Sequence, residues 1–98
     1  MKTLSQEEIN QLKKQHGAIF QYNSTDGKMA IFKSPDFQIL DACKSVCGKN
    51  GMKFNKMLVE NCWIQGDEEL KTNEEYLLGI FDWISGIIKK KEGILTEL

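Results

Sequence analysis

The stretch AIFQYNSTDGKMAIFKSPD, Ala18 to Asp36, decides the fold. Its first part, Ala18 to Asn23, alternates poorly but holds three strand formers, Ile19, Phe20 and Tyr22. Asp26-Gly27 follows, a pair that tolerates positive φ and so marks a tight turn. Lys28 to Lys33, KMAIFK, reads as the returning strand. The spacing therefore predicts a β-hairpin over about residues 18–33. Two strands alone are marginal in water, so helices must cover one face. Ser34-Pro35-Asp36 then supplies a helix start: Ser34 as cap, Pro35 at the first helical position, Asp36 at the positive end of the dipole.

Working outward, Ser5-Gln6-Glu7-Glu8 matches a capping box, with Leu4 and Ile9 placed for a hydrophobic staple. It predicts a helix over about 5–16, stopped by Gly17. A second helix, about 35–47, lines Phe37, Leu40, Cys43 and Cys47 along one side. Asn50 is placed to cap a third, about 52–63, with Phe54, Met57, Leu58 and Cys62 at helical spacing. Ile64 to Lys71 reads as a loop. Thr72-Asn73-Glu74-Glu75 matches a second capping box and opens a helix over about 73–91. The expected architecture is one small α+β domain, residues 1–98, in the order α-β-β-α-α-α.

Composition narrows the function. Ninety-eight residues with 41% hydrophobic and 28% charged side chains describe an ordinary globular chain. A core this size buries about 60–65% of the unfolded surface, leaving little room for a deep catalytic cleft. Thirteen basic residues against fourteen acidic leave a net charge of −1, and Lys89-Lys90-Lys91 is the only basic run. Nucleic-acid binders carry a basic stripe instead. The apolar-rich stretch Tyr76 to Ile88 contains Asp82 and is too short to span a bilayer. Three cysteines cannot pair fully within one chain. With no apolar leader after Met1, a reducing, cytoplasmic setting is expected.

No nucleophile–base pair, metal set or phosphate loop emerges, so the sequence assigns no catalytic residue, no metal ligand and no cofactor. Cys43 and Cys47 can face one side of a helix and, with Cys62 and His16, would make a Cys₃His set. The spacing matches no compact zinc motif, and both cysteines sit on an apolar stripe. Asp67, Glu68 and Glu69 lack the alternation of a calcium loop. The more telling feature is apolar excess. The predicted last helix carries Leu77, Ile80, Phe81, Ile84, Ile87 and Ile88, and Tyr76 and Trp83 widen the stripe beyond what one small core needs. Tyr76, Trp83 and Ile87 are therefore expected to contact a protein partner or a second copy. Trp63, beside the acidic cluster, is a further contact residue. A thiol- or metal-binding module remains the rival chemistry.

Phe32-Lys33-Ser34-Pro35, Lys53-Phe54-Asn55, Leu58-Val59-Glu60-Asn61-Cys62-Trp63 and Gly66-Asp67-Glu68-Glu69 together resemble small proteins of phages and prophages of gut Bacteroidetes. More distantly they are similar to phage tail assembly chaperones. The resemblance covers about Gly17 to Leu78 and rests on structural rather than catalytic motifs. It implies a non-enzymatic role in virion morphogenesis: binding a tape-measure protein, shielding its hydrophobic segments and recruiting tail tube subunits. A minor structural component of the particle is the alternative it allows. The implied setting is the host cytoplasm, with association to the virion.

Overall fold

A computed structural model describes residues 4–98 and is a mixed α+β domain. Helix α1, Gln6–His16, begins at the Ser5 capping box: the Glu8 N–H donates to Ser5 Oγ at 3.2 Å, and the Ser5 N–H donates to Glu8 Oε1 at 3.2 Å. Strands β1, Ile19–Asn23, and β2, Met29–Lys33, form the expected antiparallel hairpin, with Phe20 opposite Phe32 and Tyr22 opposite Ala30. Its turn is closed by the Ser24 N–H on the Lys28 carbonyl at 2.8 Å.

The helix after the hairpin starts later than Ser34-Pro35 suggests. Asp36 is the cap, accepting from the Ile39 N–H at 2.8 Å, and α2 runs Phe37–Cys47. Pro35 is buried instead of opening the helix. Ser34 is used elsewhere, as shown below. Phe37 is 91% exposed rather than on the core stripe. At about 100° per residue it falls to one side of the arc through Leu40, Cys43 and Cys47. Asn50 caps α3, Gly51–Cys62, as its spacing requires, accepting from the Lys53 N–H at 3.0 Å.

The expected loop after α3 is a third strand and a short helix. β3, Trp63–Gly66, pairs antiparallel with β2, giving the order β1-β2-β3 with β2 central. Gln65 faces Ile31 while Trp63 faces Phe32, so Ile64 is an extra residue, a bulge. The bulge sets Trp63 edge-on to Phe32, with centroids 5.7 Å apart and planes at 85°. Helix α4, Glu69–Thr72, buries Leu70. Asn73, not Thr72, caps α5, accepting from the Glu75 N–H at 2.9 Å.

The single helix expected over 73–91 is broken. α5 ends at Phe81, the chain turns at Asp82-Trp83, and a 3-10 helix covers Ile84–Ile87. Ser85 and Gly86 are weak helix formers, which favours the break. Three residues per turn stack positions i and i+3, so Ile84 and Ile87 both point inward and are buried. Ser34 Oγ donates to the Ile87 carbonyl at 2.7 Å and holds the end of this turn to the sheet. The core joins one face of the sheet, Ala30 and Phe32, to Cys43, Leu58, Val59 and Cys62 of α2 and α3. Leu70, Leu77, Ile80, Ile84 and Ile87 close it from the other side. Met29 and Ile31, alternate to these on β2, are buried as well.

Candidate functional site

The four residues expected at a contact surface lie in different surroundings. Ile87 is 6% exposed and belongs to the core, because the 3-10 winding turned it inward. Tyr76 is half-buried: its ring packs on the core and its hydroxyl donates to Asp26 Oδ2 on the hairpin turn. Trp63 is half-buried between Phe32 and the Lys71 ammonium, which sits 4.8 Å above its ring. Trp83 is 72% exposed. It stands on the turn between α5 and the 3-10 helix.

Trp83 forms one wall of a cleft of about 420 Å³. β1 from Phe20 to Asn23, with Phe32, Ile80, Ile84, Gly86 and Ile87, also lines it. Neighbouring strand residues point to opposite faces, so lining by four consecutive ones brings the cleft to the edge of the strand. β1 is an edge strand, as the sheet order requires. Phe20, Tyr22, Phe32 and Trp83 make the cleft an aromatic one. Its volume lies in the usual range for a ligand-sized site. Burial, followed by the charges of Asp82 and Asp26, pushes the Tyr22 phenol up. In the sequence Phe20 and Tyr22 read only as strand formers. Their i, i+2 spacing is the signal that put them on one face.

A second depression, about 450 Å³, lies between α3 and α5. Met52 and Leu78 are exposed there, but Lys53, Lys56 and Glu74 also line it. Phe81 is its one aromatic, against four in the first.

The remaining polar candidates serve the fold. The Met29 N–H donates to Asp67 Oδ2 at 2.9 Å, and the Asp67 N–H donates to the Met29 carbonyl at 2.9 Å. Asp67 thus continues the β2–β3 pairing past Gly66. Glu68 pairs with Lys71 at 3.0 Å and Glu69 with Lys28 at 3.6 Å. Asp26 accepts from Ser24 Oγ and Tyr76 Oη, and these bonds, Ser24's first, hold its carboxyl below the ordinary value. The same bond, with burial, pushes the Tyr76 phenol up to about 12.

Cys43, Cys47 and Cys62 are free and buried. Cys47 Sγ contacts Met57 Sδ at 3.4 Å. Burial pushes the Cys62 thiol up to about 11 and raises Cys43 too, the opposite of an activated nucleophile. Among the described residues, no three His, Cys, Asp or Glu side chains are grouped to hold a metal ion. His16 is exposed at the end of α1. Among the described residues, no helix is long and apolar enough to cross a membrane.

No family model, curated protein or solved structure matches this chain.

Proposed function

We propose that this is a non-enzymatic protein-binding domain that captures an apolar segment of a protein partner in the cleft beneath Trp83. The observation that carries this reading is a 72%-exposed tryptophan bordering an aromatic cleft at a sheet edge. A buried tryptophan removes about 150–250 Å² from water. At about 25 cal/mol per Å² that is worth about 4–6 kcal/mol before the costs of association. An aromatic site of this kind is what interface hot spots are made of.

The resemblance to phage tail assembly chaperones supplies a setting. A tape-measure protein presents long hydrophobic segments, and a small domain with an open aromatic cleft suits their temporary cover. In this setting the domain acts in the host cytoplasm during particle assembly.

Calorimetric titration with apolar-aromatic peptides tests the binding. A negative heat-capacity change is expected, with affinity falling about tenfold or more in Trp83→Ala. That variant should melt within about 2 °C of the parent, since exposed side chains cost little to remove. No binding by any such peptide, or full binding by folded Trp83→Ala, would remove the cleft from consideration. Co-expression with a tape-measure fragment tests the setting: the fragment should stay soluble with the parent and precipitate with Trp83→Ala.

A further inference from the structure

The two edges of the three-stranded sheet differ. β3 is four residues long and is interrupted by the Ile64 bulge, two features that blunt an edge. β1 has five residues in unbroken register with β2, and holds no charged residue and no proline. α1 does not seal it: no residue of that helix is buried, and Gln21 in mid-strand is exposed. Resting on the cleft reading above, we propose that the partner's apolar segment binds in extended form, as a fourth strand paired with β1.

The backbone directions support this. The Ser34 N–H donates to the Ala18 carbonyl at 3.3 Å and the Ser24 N–H to the Lys28 carbonyl at 2.8 Å, so residues 18 and 24 face the β2 side. Direction alternates along a strand. Phe20 and Tyr22 therefore also bond to β2, while the N–H and C=O groups of Ile19, Gln21 and Asn23 point to the outer edge. Among the described residues, Ile19 and Asn23 make no backbone bond on that side. Side chains alternate as well. Phe20 and Tyr22 stand opposite Phe32 and Ala30, share the core face and line the cleft. Gln21 and Asn23 lie on the reverse face, their amides bonded to each other at 3.1 Å. A strand added beside β1 continues both faces. Its alternate residues enter the cleft that Trp83 lines and must be apolar; those between lie beside Gln21 and Asn23 and can be polar. The occupant so defined is a foreign segment of about five residues that alternates apolar and polar. β1 of a second copy does not fit, because its Phe20 and Tyr22 are already packed on their own core and bring nothing to fill the cleft. The chain's own Ile94, Leu95 and Leu98 stand outside it, at 95%, 101% and 117% exposure.

Titration with an end-capped peptide of about seven residues, threonine alternating with isoleucine, phenylalanine and valine, tests this. Two N-methylated forms, each methylated on one alternate set of amides, separate strand pairing from apolar capture. In an added strand only one set donates to β1. One form should therefore bind about tenfold or more weakly, and the other about as well as the unmodified peptide. Amide exchange should slow at Ile19 and Asn23 in the complex, and Trp83→Ala should weaken binding about tenfold or more. Trp83-dependent binding that tolerates both methylated forms, or rejects both alike, leaves the cleft reading standing and overturns strand addition. Unchanged exchange at Ile19 and Asn23 does the same. A peptide that binds only the Ile94→Asp/Leu98→Asp variant also overturns strand addition by a partner, because residues 94–98 then hold the edge. Binding indifferent to Trp83→Ala, or none to either protein, overturns both readings.

Discussion

One added methyl group should have opposite consequences at Gly66 and Gly79. Gly66 has φ +147°, and a Cβ there would lie 2.4 Å from the Met29 carbonyl oxygen and 2.6 Å from Ala30 Cα. Both obstacles are backbone, so no side-chain rotation relieves them. The conformation costs an L-residue about 1–3 kcal/mol, and overpacking against a fixed neighbour adds about 1–3 kcal/mol. Gly66→Ala should lose about 3 kcal/mol or more; at about 4–8 °C per kcal/mol, Tm falls by at least about 12 °C. At Gly79 the new Cβ meets only the Tyr22 hydroxyl, at 2.8 Å, the far end of a side chain that can turn aside. Replacing glycine within a helix gains about 1 kcal/mol, partly offset by turning Tyr22 aside, so Gly79→Ala should melt between the parent's Tm and about 8 °C above it. Its effect should appear in binding, because Tyr22 forms a cleft wall and must move. Circular dichroism melts and peptide titration read both outcomes. A Gly66→Ala variant as stable as the parent would refute the close β2–β3 approach. Unchanged peptide affinity in Gly79→Ala would refute Tyr22 as part of the binding wall.

The Tyr76–Asp26 bond predicts two windows of pH sensitivity. The lowered Asp26 carboxyl gives stability present above its unfolded value of 3.8 and lost as pH falls through its folded value; the raised phenol gives stability present below 10.0 and lost as pH rises through about 12. Absorbance at about 295 nm should show Tyr76 titrating late in the parent and nearer its ordinary value in Asp26→Asn; a parent with no late-titrating tyrosine contradicts the contact. Cys43, Cys47 and Cys62 should react with an aromatic disulfide reagent only as the domain opens, so labelling should track unfolding by denaturant; fast native labelling would favour thiol chemistry instead. Ser34→Ala should cost about 1 kcal/mol through its lost bond to the Ile87 carbonyl, with a matching drop in peptide affinity; a stability loss with full affinity would mean the 3-10 wall does not need that anchor.

Where the signal was local, the sequence was readable. The Asp-Gly turn between two apolar runs specifies the hairpin, and Ser5 and Asn50 mark helix starts by side chains that reach only three residues. β3 was not readable, because Trp63–Gly66 is four residues long and becomes a strand only by meeting the open edge of β2. Ser34, Pro35 and Asp36 can all open a helix, so local signals leave the start of α2 open. The choice of Asp36 follows from long-range use of Ser34 on Ile87. At the site, Trp83 stood out as excess aromatic surface. An α-helical period groups Ile87 with it, but the chain leaves that winding after Phe81. The β1 wall stayed hidden, since nothing in the sequence brings Phe20 and Tyr22 into one cleft with Trp83.

That change of winding links stability to binding. In a continuous α-helix Trp83 and Ile87, four apart, would share one face. Core packing would then bury both, or exposure would strand both. Breaking the helix at Asp82 separates them: Ile84 and Ile87 stack into the core, while Trp83 is released to the rim of the gap beside β1. The break thereby opens apolar area at the aromatic cleft, apart from the exposed Phe37, Val46, Met52 and Leu78 of the helices and from residues 94–98.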